Sequence, residues 1–379
     1  MARIVDTCVL SLLDDRPPHY LDRSSGSAIK LPTTILGRLG YSLDLLFSHR
    51  GTSYYPGRHW NWASAKVAAY RAPRSISTRR FILNTIAFTF FTYLGLDCIT
   101  SYIYVAISPI LKARSYDNYA PITSLLPLWQ QLICVSEFFL HTIAAYVAFD
   151  TILLVVCVGS GLSSDMDNWP PPFEDPLSSG SLPHFWSQAW HSIYRQFFLR
   201  FSFPFVYFLF PSSRRTIIRQ TKDGRTGSRL TPAAAYVTMI LCFLASGIYH
   251  FCILFRVRLA TPPGADPQPY PSLLQFWKYD LSAANFFFAQ PIGITIDMIL
   301  LRPIFGASSK VRRIFAWAWV LYTVRWWVDA WAVAGMLDGD EPLPLGSPIG
   351  TITRLLSKDW VSASATEMVR IWAIGSTPK

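Results

Sequence analysis

Apolar and polar residues are segregated along this chain into long blocks. Residues 233–255 read AAAYVTMILCFLASGIYHFCILF, with no Asp, Glu, Lys or Arg and one histidine, His250. A run of about 20 such residues is enough for a helix that crosses a bilayer. Comparable runs cover residues 81–105, 283–301 and 314–337. A fifth, 125–162, is longer than one ordinary span needs, so its first part is read as a surface or tilted helix. Residues 39–48 (LGYSLDLLFS) have the pattern of a short amphipathic helix at the membrane surface. Residues 184–196 (HFWSQAWHSIYRQ) read as an aromatic amphipathic helix. Residues 197–210, apolar but short and holding Arg200 and Pro204, read as a re-entrant or interfacial segment. The pattern implies an all-α, polytopic integral membrane protein with roughly six to eight transmembrane or re-entrant helices.

The polar stretches divide the chain into a polar N-terminal tail (1–38), a membrane domain (39–337) and a C-terminal tail (338–379). The loop SSDMDNWPPPFEDPLSSGSLP contains three consecutive prolines, through which no helix continues. Residues 212–229 are strongly basic, and so is the turn from Arg302 to Arg313. The positive-inside rule puts both in the cytosol. The Pro-rich stretch 256–282 and the acidic DGDE that opens the C-terminal tail then fall outside. The N-terminal MARIVDTCVLSLLDDRPPHY is interrupted by Asp14 and Asp15 and is too short and poorly flanked for a signal peptide. Internal spans are therefore expected to direct the chain to the membrane, with the endoplasmic reticulum as the default.

Composition agrees with the blocks. Hydrophobic residues make up 51% of the 379, and charged residues 15%, against about a quarter in soluble domains. The net charge of +11 lies mainly in the short stretches between apolar runs, where it encodes topology. No nucleic-acid motif accompanies it. The six cysteines form no CxxC and no zinc-ligand spacing, and they read as small buried side chains.

Ionisable groups inside spans are rare and often functional. His250 is the foremost. Ser246 and Gly247, about one turn before it, are small enough for another helix or a ligand to approach. A neutral imidazole in apolar surroundings is available as a general base. The second candidate is His191, which follows Trp186 and Trp190. The bland alternatives are a packing histidine and an interfacial aromatic belt. Arg325 and Asp329, four apart, are expected to form an internal ion pair, and Glu137 with His141 a similar contact. Asp97, Asp150 and Asp297 lie near span ends or interior faces, and most of them are expected to be structural.

The segments NWPPPF, HFWSQAWHSIYRQFF and FLASGIYH, in that order, resemble the wax-synthase-like branch of the membrane-bound O-acyltransferase superfamily. They are most similar to fungal acetyltransferases that act on terpenoid and meroterpenoid alcohols. LDLLFSHRGTSYYPGRHWNW resembles a further Arg-Gly region of those proteins, so the likeness runs from about Leu39 to Trp331. The resemblance implies helices around a buried tunnel, with His250 as the catalytic histidine and His191 as the second polar site. Trp186, Trp190, Arg195, Trp169 (with Pro170) and Ser246 become candidates for substrate binding. Ser246 is read as back-bonding to its helix rather than as a nucleophile. Two departures are Ser187, where Gly is usual, and Gln188-Ala189, where an Arg is common. The implied reaction transfers acetyl from acetyl-CoA, as co-substrate, to a hydroxyl of a hydrophobic secondary metabolite, with no tightly bound cofactor and no metal. Arg214, Arg215, Arg219, Lys222, Arg225 and Arg229 are candidates to attract the coenzyme phosphates. A wax-ester or sterol acyltransferase using long-chain acyl-CoA, and a non-catalytic transporter, remain as alternatives. No internal symmetry of the kind common in transporters is visible.

Overall fold

The computed structural model describes residues 18–48, 50–72, 76–115, 122–161, 166–173, 176–190, 193–211, 230–259, 273–307 and 309–333. The described residues are mostly helical, and they include four helices long and apolar enough to cross a membrane: Thr78–Leu111, Leu128–Gly159, Pro232–Leu254 and Ala283–Phe305. In chain order the α-helices are α1 (Ile35–Phe47), α2 (Ala65–Ala69), α3 (Thr78–Tyr102), α4 (Ser108–Ser115), α5 (Ile122–Leu125) and α6 (Leu128–Gly159). They continue with α7 (Leu182–His184), α8 (Arg195–Leu209), α9 (Pro232–Leu259), α10 (Leu273–Ile296), α11 (Arg302–Phe305) and α12 (Lys310–Val333). π-helical turns at Ile103–Ile107 and Asp297–Leu301 carry α3 into α4 and α10 into α11. The stretch 125–162 is thus mainly one long helix. The basic loop 212–229 and the C-terminal tail 338–379 lie outside the described residues.

The helix starts follow local chemistry. Thr34 Oγ1 accepts from Gly37 N and caps α1. Ser77 Oγ accepts from Arg80 N at the start of α3. Thr231 Oγ1 accepts from Ala234 N, with Pro232 at the first helical position of α9, where a missing N–H costs nothing.

The chain divides into two compact units, the first holding residues 1–86, 146–248 and 287–317, the second 87–145, 249–286 and 318–379. The first unit contains a small N-terminal module. Its strands β1 (Tyr20–Asp22) and β2 (Arg58–Trp60) pair antiparallel, Tyr20 opposite Trp60. Residues 20–22 are therefore part of a folded piece that includes β2. Gly51 is at φ +81°, and a Cβ there would lie 2.5 Å from Ala63 Cα, so this turn requires glycine. The module is organised around Asp44 of α1. Its carboxylate accepts from Tyr20 Oη (2.7 Å), Ser53 Oγ (2.9 Å), Tyr54 N (2.8 Å) and Ser48 Oγ (3.3 Å). Burial pushes the Asp44 carboxyl up, against the pull of these donors.

His59, beside Trp60 in β2, is buried, with Nδ1 3.0 Å from the Trp60 carbonyl oxygen. Burial holds its pKa below the usual histidine value. The folded module therefore keeps His59 neutral while the unfolded chain takes up a proton near pH 6.5. Stability is expected to fall as pH drops through about 6.5, down to the lowered folded value. The thermal midpoint at pH 5.5 against pH 7.5 checks this. His59→Gln should show a smaller drop than the wild type.

In the second unit, Leu254 of α9 meets Ala283 of α10 and Ala330 of α12, with Trp331 against them. Arg325 donates to Gln131 Oε1 (3.1 Å) and to Tyr322 O, and lies over the Tyr322 ring. Arg325 of α12 is thus tied to α6 through Gln131, a partner other than the Asp329 named from helical spacing. Glu137 and His141 do approach each other, 3.7 Å apart on α6.

Candidate functional site

The motif HFWSQAW is not one helix. Ser181 caps α7 by accepting from His184 N, and Leu182 N donates to Asp297 Oδ2 at 2.9 Å. A π-helical turn, Phe185–Ala189, follows, closed by Trp190 N to Phe185 O (2.8 Å). The chain is extended at Trp190 (ψ 161°), and helix resumes at Arg195. The amphipathic helix expected over 184–196 is therefore broken at the second tryptophan, Trp190. Such turns recur at functional positions because they re-aim side chains.

This break arranges the aromatic pair. Phe185 is buried and stacks on Trp190 (5.7 Å, 17°), with Trp186 at a right angle to it (5.1 Å) and Trp317 edge-on (5.7 Å). Trp186 meets Phe243 of α9 (5.4 Å) and donates through Nε1 to Gln290 Oε1 of α10 (3.1 Å). Gln290 is wholly buried. A buried amide in an apolar helix is costly without partners, and sequence reasoning passed over it. The available signal was a lone glutamine inside the run FFFAQPIG.

Asp297 joins this group to the turn after α10. Its Oδ1 is 2.5 Å from Arg312 Nε, and Arg312 also donates to Ala307 O. Both members of the pair are buried. Arg313 reaches Leu177 O (2.6 Å).

Trp169 is placed elsewhere in the same unit. It packs with Leu154 and Cys157 of α6, and with Tyr54, Phe81 and Ile82. The loop after it is held by Arg50, whose Nη1 donates to Pro171 O (2.8 Å) and whose Nη2 pairs with Asp150 (2.6 Å). Asn168 donates to Tyr55 O and accepts from Arg23. The Arg-Gly stretch and the Trp-Pro-Pro loop, far apart in sequence, are thus brought together. Phe173 of that loop meets Trp190 (5.3 Å). Asp150 and Asp297 each pair with an arginine.

Arg195 is exposed as the first residue of α8, and Ser246 is buried in α9. A Cβ on Gly247 would lie 3.3 Å from Phe288 Cε1 and 3.4 Å from Phe287 Cβ, so the small residue does admit a neighbouring helix closely. Gly247→Val is expected to cost about 1–3 kcal/mol through overpacking. A lowered thermal midpoint checks it, with Gly247→Ala showing a smaller drop.

In the second unit, His250 is half-buried against Trp327, ring centroids 4.4 Å apart at 61°, with Tyr249 at 5.4 Å. Trp327 is itself walled by Phe138 and Phe286, each 5.3 Å away, and Phe138 continues to Trp331 (5.7 Å). His250 therefore borders an aromatic cluster supplied by α6, α9, α10 and α12. Trp327 is a second residue missed from the sequence, where 14 tryptophans made any one of them unspecific. His191 lies outside the described residues. Among the described residues, no group of three His, Cys, Asp or Glu side chains comes together as a metal site.

The class defined by these observations is an all-α membrane protein with a histidine on an intramembrane helix and a tryptophan pair on a broken helical turn. Residues 169–265 match the Membrane bound O-acyl transferase family. The match spans well under half of the chain, but it contains every candidate residue named from the sequence, from Trp169 to His250. It supports a membrane-bound O-acyltransferase. No curated protein and no solved structure matches the chain.

Proposed function

We propose that this chain transfers an acetyl group from acetyl-CoA to a hydroxyl of a hydrophobic acceptor, a terpenoid or meroterpenoid alcohol, in the endoplasmic reticulum membrane. The reading is supported above all by the family match over 169–265, which includes both the tryptophan turn and His250. In the proposed reaction, the acceptor oxygen attacks the thioester carbonyl carbon while His250 takes the hydroxyl proton. A new C–O bond forms and the C–S bond breaks. The coenzyme leaves as a thiolate, which the imidazolium reprotonates. His191 donates a hydrogen bond to the developing oxyanion. Trp186 and Trp190 line the substrate path, and Gln290 fixes the orientation of Trp186. Aromatic walls around His250 keep water from competing for the acyl group. The acceptor enters from the bilayer, into which polycyclic alcohols partition.

Microsomes carrying the protein, given labelled acetyl-CoA and a panel of terpenoid alcohols, are expected to form labelled ester. Ester from a long-chain acyl-CoA and a fatty alcohol, with none from acetyl-CoA, would overturn the donor assignment and favour a wax-ester synthase.

A further inference from the structure

Helix α1 is inside out by the standard of a water-soluble protein. Its inward face carries Gly37, Gly40, Tyr41, Asp44 and Ser48, while its outward face carries Ile35, Leu36, Leu39, Leu43, Leu46 and Phe47. Ile35 and Leu36 are 89% and 79% exposed, and none of the described residues covers the stripe. The helix is not free to roll. Asp44 is fixed by four donors, Tyr41 Oη donates to Pro18 O, and Gly40 allows the Tyr55 hydroxyl to lie where a Cβ would stand. A contiguous exposed apolar patch of this kind marks an interaction surface.

Its surroundings name the occupant. The module carrying α1 is packed, through Tyr54 and Trp169, against Phe81 and Ile82 at the start of α3 and against Leu153, Leu154, Cys157 and Val158 at the end of α6. These are the ends of two membrane-length helices. In the same unit, α3 begins with Arg79 and Arg80, and α12 with Lys310, Arg312 and Arg313, so the positive-inside rule places these ends at the cytosolic surface. Lys30 and Arg38, both exposed, flank the stripe as cations suited to anionic headgroups. We propose that α1 lies in the plane of the bilayer, its outward stripe seated in the acyl region of the cytosolic leaflet. Two polar anchors then hold the module to one membrane, Asp44 from within and the flanking cations from without. The proposal does not depend on the reaction the protein catalyses.

Wild-type protein in nanodiscs can be photolabelled with two phospholipids, one with a diazirine near the headgroup end of its acyl chain and one with it at the chain terminus. Peptide mapping by mass spectrometry then reads the sites. Peptides within 35–47 are expected to be labelled severalfold more by the shallow probe than by the deep one, while residues 83–91 of α3 take label from the set. No label on α1, with α3 labelled, would overturn the proposal and point to cover by residues 1–17 or by a second copy. Equal labelling of α1 by both probes would also overturn it, because the helix would then be inserted rather than lying in plane.

Discussion

His250→Ala is expected to lower ester formation by about 10²–10⁴-fold, the usual contribution of a positioned acid–base group, while the protein still inserts and purifies as the wild type does. The imidazole rests on Trp327, so its loss also removes some packing. His250→Gln, which retains volume and a polar end but not the basicity of imidazole, separates the two effects. If basicity is what matters, both variants are inactive and the glutamine variant retains more of the thermal midpoint. Acyl transfer surviving in either variant at equal expression would remove His250 from the base role.

The second large effect concerns folding. Arg312→Ala leaves the Asp297 carboxylate buried without its guanidinium, and breaking a buried pair in this way costs about 3–5 kcal/mol. Asp297 also accepts from Leu182 N, so the disturbance passes to the turn that carries Trp186. The double change Asp297→Asn with Arg312→Gln is expected to be less damaging than Arg312→Ala alone, because no lone charge remains. Thermal unfolding of the single and double variants, completed as a cycle, measures the coupling. Additive effects would mean that the 2.5 Å contact contributes little.

The spans were legible because a membrane requires a continuous apolar run, and such a run is visible in one dimension. Residues 233–255 announced α9, and 283–301 announced the end of α10. The breaks in the site were not legible. HFWSQAWHSIYRQ has a helical pattern from end to end, and at its break Trp190 meets Phe173, a residue outside the motif. The N-terminal module was missed for the same reason. Its strands are three residues each and pair across 38 positions of chain, too short and too distant to leave a periodic signal. The bond from Arg325 to Gln131 was not legible either, because helical spacing points only to Asp329 and Gln131 is 194 positions away. His250 could be picked out as a lone imidazole in an apolar run, but the cluster around it comes from four helices, and no local pattern joins Phe138 to Trp327.

The length of α6 has a consequence for the membrane itself. Its 32 residues extend about 48 Å at 1.5 Å per residue, well beyond a hydrocarbon core of about 30 Å. The surplus must be absorbed by tilt, by protrusion or by a locally thickened bilayer. Arg50 and Asp150 tie the last third of that helix to the Trp-Pro-Pro loop, so a change in the tilt of α6 is expected to be felt at that loop. In a thinner membrane a greater lean of α6 is one way to take up the surplus, and the loop leading to the tryptophan turn is fastened to that helix.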